Sequence, residues 1–293
     1  MREMRNDEHP SRRDFLKSAG VASAACLAGL AGGATGRTAR AAENPGEKRK
    51  RPLKLALASY TLRKFDLDQT LAMTARVGLE AICLKSFHLP LTATAEEIAA
   101  ACAKVKESGI LLYGGGVIGM KNPEEVDRAF EYAKAAGMVK IIAAPTAEML
   151  PLIDEKVRQY DIEVCIHNHG PGDNNFPTPE AAYEKIKTLD RRIGICHDVG
   201  HTTRYGADPV ASTRKYADRM LDIHIKDVTE ATARGVATAC GRGVIDLPAL
   251  LRTLIEIDYP GYVSFEYEQS PDDPLPGLAE SVGYVRGVLD GLG

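Results

Sequence analysis

A single-domain (β/α)₈ barrel is the fold this sequence predicts, on three observations. From Leu53 onward, eight short apolar runs alternate with amphipathic stretches. Eight such units over about 240 residues match the length of one closed barrel. Residue types that bind metals recur at the ends of four consecutive runs, the position where barrels of this kind keep their chemistry.

The chain before Leu53 has a separate character. It reads Ser11-Arg12-Arg13-Asp14-Phe15-Leu16-Lys17, then a modest apolar run from Ala19 to Ala34, then Ala39-Arg40-Ala41. A polar segment, an apolar segment and an A-x-A site are the three parts of a secretory signal. The paired arginines before Phe15 specify the twin-arginine route, with its export machinery as partner, the periplasm as destination and cleavage after Ala41. The run is too rich in Gly and Ala to span a membrane stably. A lipidated Cys26 is the alternative, and Ser23 suits that signal poorly. Residues 42–52 are polar and charged and read as a flexible leader, so the barrel occupies 53–293.

The eight strand candidates are 53–59, 79–85, 109–117, 138–143, 162–168, 192–198, 219–225 and 261–267. They are rich in Ile, Val, Leu, Ala and Cys, as expected of strands covered on both faces. Between them, Ala95, Ile98, Ala99, Cys102 and Val105 recur at helical spacing across 95–107. A second helix, 123–136, opens on Asn122 and Pro123 and closes at Gly137. The competing architecture is an open doubly wound sheet. No G-x-G-x-x-G follows the first run, which removes the main support for its dinucleotide-binding version.

Composition narrows the partners. Hydrophobic residues make up 44% and charged residues 26%, an ordinary globular balance. The formal charge is −3, and residues 1–41 hold seven Lys/Arg against four Asp/Glu, which leaves the body at −6. An acidic body argues against nucleic acid, whose phosphates need clustered Lys and Arg. The six cysteines contain no C-x-x-C, and Cys83, Cys165 and Cys196 sit in apolar runs as small core hydrophobes.

Strand five ends His167-Asn168-His169, and strand six ends His197-Asp198-Val199-Gly200-His201. Strand seven carries His224-Ile225-Lys226-Asp227, and strand eight ends Glu266-Tyr267-Glu268. Alternation along a strand sorts these residues by face. The lumen-facing set puts His167, Asp198, His224 and Glu266 at one height around the axis. Two imidazoles and two carboxylates suit one divalent ion: Mn²⁺, Co²⁺, Mg²⁺, Fe²⁺ or Zn²⁺. His197 faces the helices as a packing residue.

These segments, with Ser59-Tyr60-Thr61-Leu62-Arg63 and Gly241-Arg242-Gly243-Val244-Ile245-Asp246-Leu247, resemble the xylose-isomerase-like superfamily of sugar phosphate isomerases/epimerases. That superfamily of TIM barrels includes inosose dehydratases and AP endonucleases. The resemblance covers about 53–290. It implies metal ligands at His167, Asp198, His224 and Glu266, a substrate-binding histidine at His201, and a sugar or keto-sugar substrate. It also implies, from twin-arginine substrates, that the chain folds and loads its metal before export. The ketose epimerases carry a catalytic glutamate where this chain has His167, so the His-Asn-His strand looks more like the inosose-dehydratase-like branch. Glu163 lies roughly 13 Å down the strand and cannot substitute.

The chemistry expected is proton removal beside a carbonyl, as in a metal-dependent sugar isomerase/epimerase, with a lyase or dehydratase as the alternative. The candidate catalytic residues are Glu266, Glu268, Lys226 and His201. His169, His201, Arg204, Lys226, Lys85 and His88 are the candidate substrate contacts. Lys226 either stabilises an enolate oxygen or pairs with Asp198 or Glu268. Lys85 and His88 line the mouth or lie on the loop surface, and Arg204 meets an anionic substrate or is an ordinary surface charge. Gly241-Arg242-Gly243 is a phosphate cradle or a tight turn. Loss of the second carboxylate favours elimination or aldose–ketose exchange over 3-epimerisation. A non-catalytic sugar-binding barrel and an AP endonuclease are the remaining readings. The downstream Asp-Arg-His of those nucleases is missing, and a homo-oligomer stays open.

Overall fold

The computed structural model describes residues 53–292. The signal and leader expectations, with Arg12, Arg13, Ala41 and Cys26, lie outside the described residues. The predicted alternation is present: β1 (Lys54–Ala58), β2 (Ala81–Leu84), β3 (Leu111–Met120), β4 (Lys140–Pro145), β5 (Glu163–His167), β6 (Ile193–Asp198), β7 (Met220–Ile225) and β8 (Tyr262–Phe265). All neighbours pair in parallel, and β1 closes on β8, so the sheet is a closed barrel in chain order. Closure excludes the open doubly wound sheet.

Each strand begins a residue or two inside its predicted run, and all but β3 end within two residues of the predicted end. β3 instead runs on to Met120, past the expected end at 117, through Gly114-Gly115-Gly116. Its register against β4 shifts between Gly116 and Ile118. Gly116 has φ +138, and a Cβ there would stand 2.0 Å from the Ile142 carbonyl oxygen, so only glycine fits. β8 stops at Phe265, which leaves Glu266 to head the loop after it.

The helices are α1 (Leu67–Arg76), α2 (Ala95–Glu107), α3 (Pro123–Ala135), α4 (Leu150–Tyr160), α5 (Pro179–Ile186), α6 (Val199–Arg204), α7 (Pro209–Lys215), α8 (Leu247–Glu256) and α9 (Leu275–Leu292). α2 starts on a reciprocal cap in which the Thr94 side chain accepts from Glu97 N–H while Glu97 accepts from Thr94 N–H. Its buried Ile98, Ala101 and Val105 form the stripe that packs on the sheet. α3 follows Asn122, whose side chain accepts from Glu125 N–H at 2.9 Å. No helix among the described residues is long and apolar enough to cross a membrane.

Two apolar layers result. The larger lies between sheet and helices and includes Leu57, Ile82, Phe130, Ile141, Ile166, Ile195 and Phe265. The smaller fills the barrel: Ala56, Cys83, Tyr113, Ile142, Cys165 and Cys196. Tyr113 stacks on Tyr262 with centroids 4.0 Å apart, and its hydroxyl meets Ser264 Oγ at 2.5 Å. The lumen is therefore a packed plug with the strand ends as its upper surface.

Candidate functional site

Strand alternation carries Cys165 to His167, Cys196 to Asp198, Asp222 to His224 and Ser264 to Glu266, each pair one layer apart. The four upper residues are all buried, and one donor atom from each lies within 4.8 Å of the others. His167 Nε2 is 3.1 Å from His224 Nδ1 and 3.5 Å from Asp198 Oδ2. His224 Nδ1 is 3.3 Å from Glu266 Oε2. The predicted quartet is thus brought together around a single point.

Its electrostatics suit a cation. Burial holds the His167 imidazole well below its usual range, so it is neutral with a lone pair to offer. Burial works against the Asp198 and Glu266 carboxylates. For Asp198 the neighbouring imidazoles and Lys226 outweigh it, and for Glu266 Lys226 and Lys85 do, leaving both ionised. Asp198 Oδ2 accepts no well-directed hydrogen bond, although the Lys226 ammonium stands 2.8 Å away. A buried carboxylate oxygen with no well-directed hydrogen bond, beside the His167 and His224 imidazoles, fits a divalent ion bound through nitrogen and oxygen. Cys196 Sγ also comes within 4.8 Å of both imidazole donors. Burial and Asp222 push that thiol well up, and it donates to Asp222 Oδ1 instead.

Cationic side chains ring the quartet. Lys226 Nζ lies 2.8 Å from Glu266 Oε2 and also contacts Glu268. The three carboxylates hold its ammonium well above the usual lysine range against the opposing effect of burial. Lys85 Nζ is 3.0 Å from Glu266 Oε1 and 5.5 Å from the Tyr60 ring centroid. Lys226 therefore makes the expected pairings, and Lys85 reaches the mouth.

His169 and His201 sit beside His167, with centroids 4.6 and 5.9 Å from it. His169 Nδ1 meets Asp173 Oδ2 at 3.3 Å, and burial lowers the His201 imidazole. Arg204 turns back along α6, with Nη1 3.4 Å from His201 Nδ1 and Nη2 donating to the Ala233 carbonyl.

His88 corrects one expectation. Its Nδ1 meets Ser59 Oγ at 2.9 Å, and its Nε2 meets Thr70 Oγ1 and the Leu62 and Phe65 carbonyls at 3.0–3.2 Å. With both nitrogens taken, it pins the segment after β1 and has none left for a substrate. His197 lies between Thr213 Oγ1 at 3.0 Å and Thr202 Oγ1 at 2.9 Å, a satisfied packing histidine.

The glycine segment after β7 takes the second of its two readings, the tight turn. The Asp227 carboxylate accepts from Gly241 and Gly243 N–H through Oδ2, and from Val228 and Ile245 N–H through Oδ1, all at 2.9–3.1 Å. These N–H groups already hold an anion belonging to the chain, so Gly241-Arg242-Gly243 is no phosphate cradle. Gly243 is required by this approach, since a Cβ there would stand 2.2 Å from Asp227 Oδ1.

Residues 71–287 match the model of the xylose isomerase-like TIM barrel family. The chain belongs to that family. Residues 9–29 match the twin-arginine translocation signal sequence. Inosose dehydratase of Geobacillus kaustophilus is 35% identical over 94 residues, 27% of this chain and 30% of that protein. The chain spans less than half the length of the first curated relatives it matches. Among solved structures, an L-ribulose 3-epimerase superposes with a TM-score of 0.67 at 16% identity, over 82% of this chain and 95% of that one. The IOLI protein with a bound zinc atom gives 0.65 at 16%, over 82% and 99%. Both likenesses are likenesses of fold.

Sequence reasoning missed Asn168 and Asp227 as organisers of the rim. Both are buried polar residues next to lumen-facing ones, and a buried polar side chain needs partners. That requirement was the available signal.

Proposed function

We propose that this chain is an exported, metal-dependent lyase that removes the proton beside the carbonyl of an unphosphorylated keto-sugar or inosose and expels a neighbouring hydroxyl. The observation that carries this reading is the distribution of carboxylates. Asp198 and Glu266 are committed to the quartet, and Glu268 is the further carboxylate at the rim among the described residues, 31% exposed and paired with Lys226. One carboxylate base outside the quartet favours elimination, where a proton is taken from and returned to the same side, over transfer between two faces. The dehydratase relative supports this direction. The zinc-bearing neighbour supports a metal at His167, Asp198, His224 and Glu266, and the filled Asp227 nest speaks against a phosphate group.

A divalent ion in the quartet would supply Lewis-acid contact to the substrate oxygens. Glu268 takes the α-proton, and the electron pair of the broken C–H bond moves toward the carbonyl. Lys226, held as a cation, faces the negative charge that develops on oxygen, with Lys85 beside it. The β C–O bond then breaks, and Glu268 returns its proton to the leaving oxygen, which departs as water. The products are an unsaturated ketone and water. His169 and His201 stand at the rim as hydroxyl partners.

The test is incubation of metal-loaded protein with inososes, ketoses and 3-keto-glycosides in D₂O, followed by NMR. Metal-dependent α-proton exchange and an unsaturated product are expected, with Glu268→Gln losing about 10²–10⁴-fold. Asp198→Ala and Glu266→Ala should each abolish most metal uptake, whereas Glu268→Gln should keep it. Clean interconversion of 3-epimers would replace the lyase reading with an epimerase that finds a second base elsewhere.

A further inference from the structure

The middle residue of His167-Asn168-His169 is fully buried. The β5–β6 ladder ends at the pair His167 and Cys196, two residues short of Asp198. From there the Asn168 carboxamide continues the pairing that the backbone has abandoned. Its oxygen accepts from Asp198 N–H at 3.0 Å, and its amide donates to the Asp198 carbonyl at 3.2 Å and to Thr202 Oγ1 at 3.1 Å. One side chain thus grips both main-chain polar groups of the residue that ends β6.

Asp198 then has little freedom. Its Oδ1 accepts from His201 N–H at 2.7 Å as the cap of α6, and its Oδ2 points to His167 Nε2. Thr202 Oγ1 donates to the Asp198 carbonyl at 2.9 Å and leads on to His197 and Thr213. Asn168, Asp198, Thr202, His197 and Thr213 are all buried away from water, where an unmet partner is costly.

We propose that Asn168 is the positioning residue of the cation site, fixing the height and direction of Asp198 Oδ2 through the main chain of Asp198. This rests on the reading of His167, Asp198, His224 and Glu266 as metal ligands. Without the carboxamide, the Asp198 peptide loses partners on the β5 side, and Oδ2 is no longer fixed against His167 Nε2. Partners one step removed from a metal typically set its affinity by about 10–100-fold. Thr213, at the far end of the same chain of hydrogen bonds, contacts no candidate ligand and serves as the control for stability alone.

The experiment loads the full chain with Co²⁺ and reads the cobalt visible absorption, the cobalt Kd and Tm. Asn168→Ala should shift the visible bands and weaken cobalt binding about 10–100-fold. Thr213→Val should lower Tm and leave both cobalt readouts alone. Thr202→Val removes one anchor of the carboxamide and is judged by the same readouts, with a smaller effect in the same direction, should Asn168→Ala not fold. Lowered Tm with unchanged cobalt bands and affinity in the Asn168 or Thr202 variant overturns the proposal alone. A wild-type protein that takes up no cobalt overturns the ligand reading, and this proposal with it.

Discussion

The hydrogen bonds around His88 define its protonation state. Its Nε2 faces two carbonyl oxygens, so that nitrogen carries the proton, and its Nδ1 is left to accept from the Ser59 hydroxyl. That is the neutral imidazole, and burial lowers its proton affinity in the same sense. The unfolded chain therefore protonates this histidine before the folded one does. The stability it contributes is complete above the ordinary histidine range and is lost as pH falls through the lowered folded value. His88→Gln should lower Tm at pH 7.5, and its further loss of Tm between pH 7 and pH 5 should be shallower than the wild-type loss. Calorimetry across that range decides it, and parallel slopes would remove His88 from the acid response. Lumen-facing residues were legible at this scale because strand alternation has a fixed period, which placed His167, Asp198, His224, Glu266 and Lys226 together. His88 follows β2 in a loop without a period, and its partners Thr70 and Phe65 could not be read from spacing.

At the level of elements, the glycine segment after β7 shows how one carboxylate organises a loop. Four main-chain donors converge on Asp227, and three of them, from Gly241, Gly243 and Ile245, lie more than a dozen residues along the chain. Asp227→Ala would leave those donors unmet at a cost on the order of 3 kcal/mol. Gly243→Ala would press a methyl group into the same carboxylate and should destabilise through the same contact. The double variant should lose clearly less Tm than the sum of the two single losses, because each change breaks one shared arrangement. Additive losses would mean that the two residues act separately. The strands themselves were legible from apolar runs, within a residue or two at most ends. β3 was the exception, since Gly114-Gly115-Gly116 carries no side-chain pattern and its extension to Met120 depends on a register shift against β4. Long-range convergence on Asp227 has no sequence signature beyond a polar residue at the end of an apolar run.

Considered as a whole, the chain joins a twin-arginine signal to a barrel whose candidate site is assembled by residues far apart in sequence. His167 and Glu266 meet only once β5, β6, β7 and β8 have paired side by side, because Glu266 follows the end of β8 and His167 ends β5. A quartet of that kind cannot form on an extended chain, so the proposed loading of a metal before export requires a folded barrel. Replacing Arg12 and Arg13 together with lysine should hold the protein in the cytoplasm with residues 1–41 attached. The retained protein should still contain about one divalent ion per chain, since the quartet lies wholly within the barrel. Fractionation with metal analysis of each fraction measures both expectations. An exported and trimmed double variant would overturn the twin-arginine assignment. A retained variant free of metal, beside a metal-bearing exported wild type, would instead place loading after export.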